Sequence, residues 1–79
     1  MRLSRDITGA DLAVKLGKVG YEITRQNGSH LRLTIHQNGE HHITIPKHNP
    51  LKIGTLSAIL NDVAKHLEIS RDELIEKLF

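Results

Sequence analysis

Among the side chains of this 79-residue chain, His30 is the one best placed to do chemistry. It ends the stretch Gln26-Asn27-Gly28-Ser29-His30, a tight turn that delivers it to the first position of a strand. Imidazole gains and loses a proton near neutral pH, so it can serve as base or acid. Cations surround it in the sequence: Arg25 before the turn, Arg32 two residues on, Lys47 and His48 between two prolines, and Lys52 just beyond. Such groups suit a polyanion such as RNA, because neutralising phosphates supplies most non-specific affinity for nucleic acid. Taken singly, each cation reads equally well as a solvated surface residue. Ser29 can bond a ligand or simply stabilise the turn, and the turn is the commoner duty.

The elements that position these residues follow from periodicity. Leu31, Leu33 and Ile35 alternate with His30, Arg32, Thr34 and His36, which predicts a strand over 30–36 with His30 on the polar face. The tripeptide Gln-Asn-Gly occurs at 26–28 and again at 37–39, each time between alternating runs. A two-residue Asn-Gly loop would set Ile23 against Arg32 and Thr34 against Ile43, placing apolar side chains on the wrong face. Loops one residue longer, with glycine last, pair Ile23 with Leu31 and Tyr21 with Leu33, then Leu33 with Ile43 and Leu31 with Ile45. The predicted meander has strands at 21–26, 30–36 and 41–45. Its polar face carries Glu22, Arg32 and Thr44 in one row, and Thr24, His30 and the surroundings of Pro46 in the next.

Thr8-Gly9-Ala10-Asp11 has the spacing of a helix start, and Leu12, Leu16 and Val19 form one stripe, so a first helix is expected over 9–19 with Gly20 closing it. Pro46-Lys47-His48-Asn49-Pro50 ends the third strand in an extended surface loop, which sets Lys47 and His48 beside the His30 row. Helical spacing returns at Ile53 or Gly54 with Leu56, Ile59, Leu60, Val63 and Leu67. The amino end of that helix, with Lys52, is a natural place for phosphate. Ser70-Arg71-Asp72-Glu73 is a second capping box, followed by Leu74, Ile75, Leu78 and Phe79. The order α-β-β-β-α(-α) implies an α+β fold: a three-stranded antiparallel sheet with helices on one face and the other face open.

Composition sets the bounds. The chain is read as one domain, residues 1–79, built on a single core without cysteine. No apolar run approaches a membrane span, and Met1-Arg2-Leu3-Ser4 leads into no apolar signal core, so a cytoplasmic protein with no membrane contact is expected. The net charge is +2, but residues 1–52 hold eight Lys/Arg against four Asp/Glu, while residues 53–79 hold three against five. Five of the six histidines, at 30, 36, 41, 42 and 48, fall in the basic part. His36 and His42 should share the polar face while His41 lies opposite Ile35, so the three converge poorly and no metal is expected. Tyr21 belongs in the core, which leaves no aromatic platform for stacking bases.

The ordered set of motifs resembles the HicA family of toxins from toxin–antitoxin pairs. The resemblance runs through Val19-Gly20-Tyr21-Glu22, Arg25-Gln26-Asn27-Gly28-Ser29-His30, His42-Ile43-Thr44-Ile45-Pro46 with His48, Leu51-Lys52-Ile53-Gly54-Thr55-Leu56 with Ile59-Leu60, and Ile69-Ser70-Arg71-Asp72-Glu73-Leu74. It implies a fold like a double-stranded-RNA-binding domain, and a metal-independent endoribonuclease that cuts mRNA with one essential histidine, which maps onto His30. It also implies a HicB-like antitoxin partner that covers the active site, and no cofactor. The expected RNA-binding set is Gly28, Ser29, Arg25, Arg32, Lys47, His48 and Lys52.

Two rival readings stay open on the sequence. A non-catalytic RNA-binding module would want a lysine cluster before the long helix, where only Lys52 stands. A helix-turn-helix DNA binder could use Ile59 to Leu78, yet its second helix would present Asp72, Glu73 and Glu76 to the duplex.

Overall fold

The computed structural model describes residues 6–79; the opening Met1-Arg2-Leu3-Ser4 lies outside them. Helix α1 (Gly9–Leu16) is followed by a 3₁₀ turn (Gly17–Val19), strands β1 (Glu22–Asn27), β2 (His30–Ile35) and β3 (His41–Pro46), and helices α2 (Ile53–Leu67) and α3 (Arg71–Leu78). The strands form one antiparallel sheet in the order β1-β2-β3. This is the expected α+β order. Leu31, Leu33, Ile35, Ile43 and Ile45 turn one face of the sheet into a core shared with Leu12 and Leu16 of α1, Leu56, Leu60 and Val63 of α2, and Leu74 and Leu78 of α3. Among the described residues no helix is long and apolar enough to cross a membrane.

Helices α1 and α3 start where the sequence supplies a side-chain partner for a free amide. The Thr8 hydroxyl accepts from the Asp11 amide at 3.0 Å, and the Ser70 hydroxyl accepts from the Glu73 amide at 3.0 Å. The expected first helix over 9–19 divides in two. Its last turn tightens to 3₁₀ geometry, so that Gly20 donates to the carbonyl of Gly17 and Tyr21 to that of Leu16, satisfying the carbonyls of the helix end. Helix α3 is fixed to α2 by Arg71, whose guanidinium donates to Ser57 Oγ (2.7 Å) and Asn61 Oδ1 (3.2 Å).

The second hairpin has the expected register, Leu33 opposite Ile43 and Leu31 opposite Ile45. The first does not. Its loop is Gly28-Ser29 alone, with Asn27 opposite His30 and Arg25 opposite Arg32, and Ile23 faces Leu33 rather than Leu31. Tyr21, expected opposite Leu33, precedes the strand altogether, although it is buried as predicted. A bulge between Ile23 and Arg25 leaves Thr24 unpaired and resets the ladder. The polar rows change accordingly: Glu22 lies opposite Thr34 instead of beside Arg32, and Thr24 is not in line with His30. The physical reason is that β1 is an edge strand with all six residues exposed, so burial does not pin its register as it pins that of β3.

The segment after β3 is laced to its neighbours through the backbone. Lys47 donates to the Ser29 carbonyl (2.8 Å), Gly9 to the His48 carbonyl (3.0 Å), and Leu51 to the Ile7 carbonyl (2.8 Å). Gly9 is required by this approach, because a Cβ there would collide with the carbonyl oxygen of Pro46.

Candidate functional site

The turn before β2 is built from Gly28, with φ +31°, and Ser29. Left-handed backbone is tolerated by glycine without steric cost, so the chain can reverse in two residues and start β2 on His30. His30 is exposed, and its Nδ1 shares a 3.1 Å hydrogen bond with Ser29 Oγ. Its Nε2 has no hydrogen-bond partner among the described residues. Pro46 lies opposite His30, and the Lys47 amide reaches back to the turn through Ser29. The structure thus brings Gly28, Ser29, His30 and the Lys47 backbone together.

The remaining expected residues are arranged differently. Arg32 shares the open face with His30, and Arg25 stands directly across from it. His48 is held through its carbonyl by Gly9, while Lys52 occupies the residue before α2 with extended backbone and makes no side-chain cap. Neither the His48 ring nor the Lys52 ammonium hydrogen-bonds to His30.

Sequence reasoning missed a hydrogen-bonded chain on the same open face. Glu40 Oε2 lies 2.8 Å from His42 Nε2, His42 Nδ1 lies 2.8 Å from Thr34 Oγ1, and Thr34 Oγ1 lies 2.9 Å from Thr24 Oγ1. An ionised carboxylate only accepts, so the Nε2 proton belongs to His42; in the neutral ring Nδ1 then accepts from Thr34, and the Thr24 hydroxyl also lies 3.4 Å from the Arg32 carbonyl, to which it donates. His36 Nδ1 is 3.7 Å from the other oxygen of Glu40. The available signal was the Glu40-x-His42 spacing, which puts both side chains on one face of an extended segment. These groups, with Arg25 and Arg32, line a shallow depression of about 390 Å³.

His41 points the opposite way, as its register predicted. Its Nδ1 bonds the Tyr21 hydroxyl (2.9 Å), its Nε2 lies 3.4 Å from Asp62, and its ring stacks on His66 at 4.5 Å between centroids. Burial, reinforced by the charge of Asp62, pushes the Tyr21 phenol up to about 12. Among the described residues no group of three or more His, Cys, Asp or Glu side chains is arranged to hold a metal ion.

Fold and face together define a small α+β protein whose helices cover one side of a sheet and whose other side presents arginines and histidines around a short glycine turn. The family model described as HicA toxin of bacterial toxin-antitoxin matches residues 9–66, from the start of α1 to the last turn of α2, and the chain belongs to that family. Its role is that of a toxin in a toxin–antitoxin pair. No curated protein and no solved structure matches it at the same standard.

Proposed function

We propose that this toxin is an endoribonuclease that cuts mRNA in the cytoplasm without a metal ion, with His30 as its essential proton-transfer group. The observation that carries the reading is the His30 imidazole itself: held at Nδ1 by Ser29, open at Nε2, and standing at the edge of a face that bears Arg25 and Arg32. In this reading Nε2 takes the proton of a ribose 2′-hydroxyl. The 2′-oxygen then attacks phosphorus, the bond to the 5′-oxygen breaks, and a 2′,3′-cyclic phosphate remains. The departing 5′-oxygen needs a proton, and Lys47 and His48, tethered beside the turn, are the candidates to supply it. Arg25, Arg32 and Lys52 hold phosphates, with Gly28 and Ser29 letting the strand approach the turn closely.

A HicB-like antitoxin would restrain such an enzyme by covering the His30 turn, with acidic groups over Lys47 and Lys52. Replacing both lysines by glutamate should then abolish its binding, whereas His30→Ala should bind it as wild type does. The helix-turn-helix alternative gains nothing from the fold, because Arg71 of α3 is engaged by Ser57 and Asn61 of α2.

The test is cleavage of a long single-stranded RNA in EDTA by wild type and by His30→Ala of equal fold. General acid–base catalysis contributes about 10²- to 10⁴-fold, so the variant should lose at least about 100-fold in rate. Undiminished cutting by the variant, or none by wild type, removes the proposal.

A further inference from the structure

Arg25 and Arg32 face each other directly across β1 and β2. Like charges so placed repel and weaken a sheet. Neither guanidinium has a hydrogen-bond or ion-pair partner among the described residues. The bulge residue Thr24 is turned onto the same face as Arg25, since its hydroxyl meets that of Thr34, which is only 6% exposed although it lies on the open side of the sheet. Below the arginines, His42 links Thr34 to Glu40, the one carboxylate lining the depression of about 390 Å³. That carboxylate is occupied by His42 at 2.8 Å and approached by His36 at 3.7 Å, and it reaches neither arginine as an ion pair. A pair of unneutralised guanidiniums above a hydrogen-bonded floor is a seat waiting for an anion.

We propose that this depression is a second phosphate seat, for the same RNA strand whose cut phosphate lies at His30; the inference rests on the ribonuclease reading. His30, Arg32 and Thr34 are alternate residues of β2 on one face, and at about 3.3 Å per residue Arg32 lies ~7 Å and Thr34 ~13 Å along the strand from His30. An RNA strand laid along β2 with its scissile phosphate at His30 therefore brings a later phosphate between Arg25 and Arg32. The two planar guanidinium forks match the oxygens of a phosphate, and the anion cancels their mutual repulsion. The charged and titratable groups facing the seat are Arg25, Arg32, His36, His42 and Glu40. Of these only Glu40 opposes the anion.

The experiment measures binding of a labelled RNA decanucleotide and of a dinucleotide to His30→Ala protein, so that cleavage does not intrude. Adding Arg25→Gln with Arg32→Gln should weaken the decanucleotide about tenfold or more and leave the dinucleotide unchanged, because the single phosphate of the dinucleotide is the one at His30 and none is left for the seat. Glu40→Gln should tighten the decanucleotide alone. The double arginine variant should also melt no lower than its parent, since it removes a repulsion, which separates lost binding from lost folding. Equal decanucleotide affinity in all three proteins overturns the seat while leaving the ribonuclease reading intact; so does a fall in antitoxin affinity alone, which would give the arginines to an acidic partner. A parent that binds neither RNA overturns both.

Discussion

The backbone amide of Lys47 donates to the carbonyl of Ser29 over 2.8 Å, which ties the loop after β3 to the turn that begins β2. The charge of Lys47 and its tether are thus separable. Lys47→Ala keeps the amide and removes the ammonium, whereas Lys47→Pro removes the amide as well. Urea unfolding should show little change for the alanine variant and a loss of about 1 kcal/mol for the proline variant, the usual net worth of a hydrogen bond. Toxicity or RNA cleavage should fall in both, and further in the proline variant. Equal activity of the two would show that the tether positions nothing of consequence.

Gly9 makes the same point from the other side of the loop. A methyl group there meets the Pro46 carbonyl oxygen, while the Gly9 amide holds the His48 carbonyl at 3.0 Å. Gly9→Ala, which would be neutral or mildly favourable at an ordinary first-turn position, should instead destabilise by roughly 1–3 kcal/mol, as overpacking does. Because the displaced segment carries Lys47 and His48, activity should drop although His30 is untouched. A melting temperature at or above that of wild type would contradict this.

The helices and the second hairpin were legible in the sequence because burial writes them there. Leu12, Leu16, Leu56, Leu60 and Val63 fall on one stripe of each helix, and Leu31, Leu33, Ile43 and Ile45 can meet the core in only one register. That His30 begins a strand on its exposed face was equally readable, since it needs only a period of two, although the loop before it is Gly28-Ser29 and not the expected Gln26-Asn27-Gly28. The first hairpin was not. An exposed edge strand has no buried side to betray a bulge, and Thr24 carries no mark that distinguishes it from a paired residue. Missing the bulge hid the pairing of Arg25 with Arg32 and the meeting of Thr24 with Thr34; the rest of the polar chain, from Thr34 through His42 to Glu40, lies on the correctly read second hairpin. Side-chain networks across strands depend on register, so one misplaced residue removes them from view.

On the core side, the Tyr21 phenol bonded to His41 should make the protein sensitive to alkali. Its folded value of about 12 lies above the ordinary 10.0, so the folded state holds the proton more tightly than the unfolded chain. That contribution is complete below pH 10 and is lost as pH rises from 10 towards 12. Unfolding midpoints in urea should therefore decline across this window in wild type and decline less in Tyr21→Phe, even though the variant starts lower for want of the bond to His41. Parallel curves for the two proteins would mean that the phenol is not held protonated by its surroundings.

Deleting Thr24 tests what the bulge is for. On either side of it the ladder is regular, Ile23 with Leu33 and Arg25 with Arg32, so removing the extra residue leaves both pairings and both faces in place. What goes is the Thr24 hydroxyl, 2.9 Å from Thr34 and 3.4 Å from the Arg32 carbonyl, while Thr34 keeps His42 at 2.8 Å. The deletion should unfold cooperatively with an unchanged urea m-value and a cost of about 1 kcal/mol. RNA affinity should respond more than stability does, because a bulge re-aims neighbouring side chains and the neighbour here is Arg25. A cost of several kcal/mol with affinity preserved would instead assign the bulge to the twist of the sheet and leave Arg25 indifferent to it.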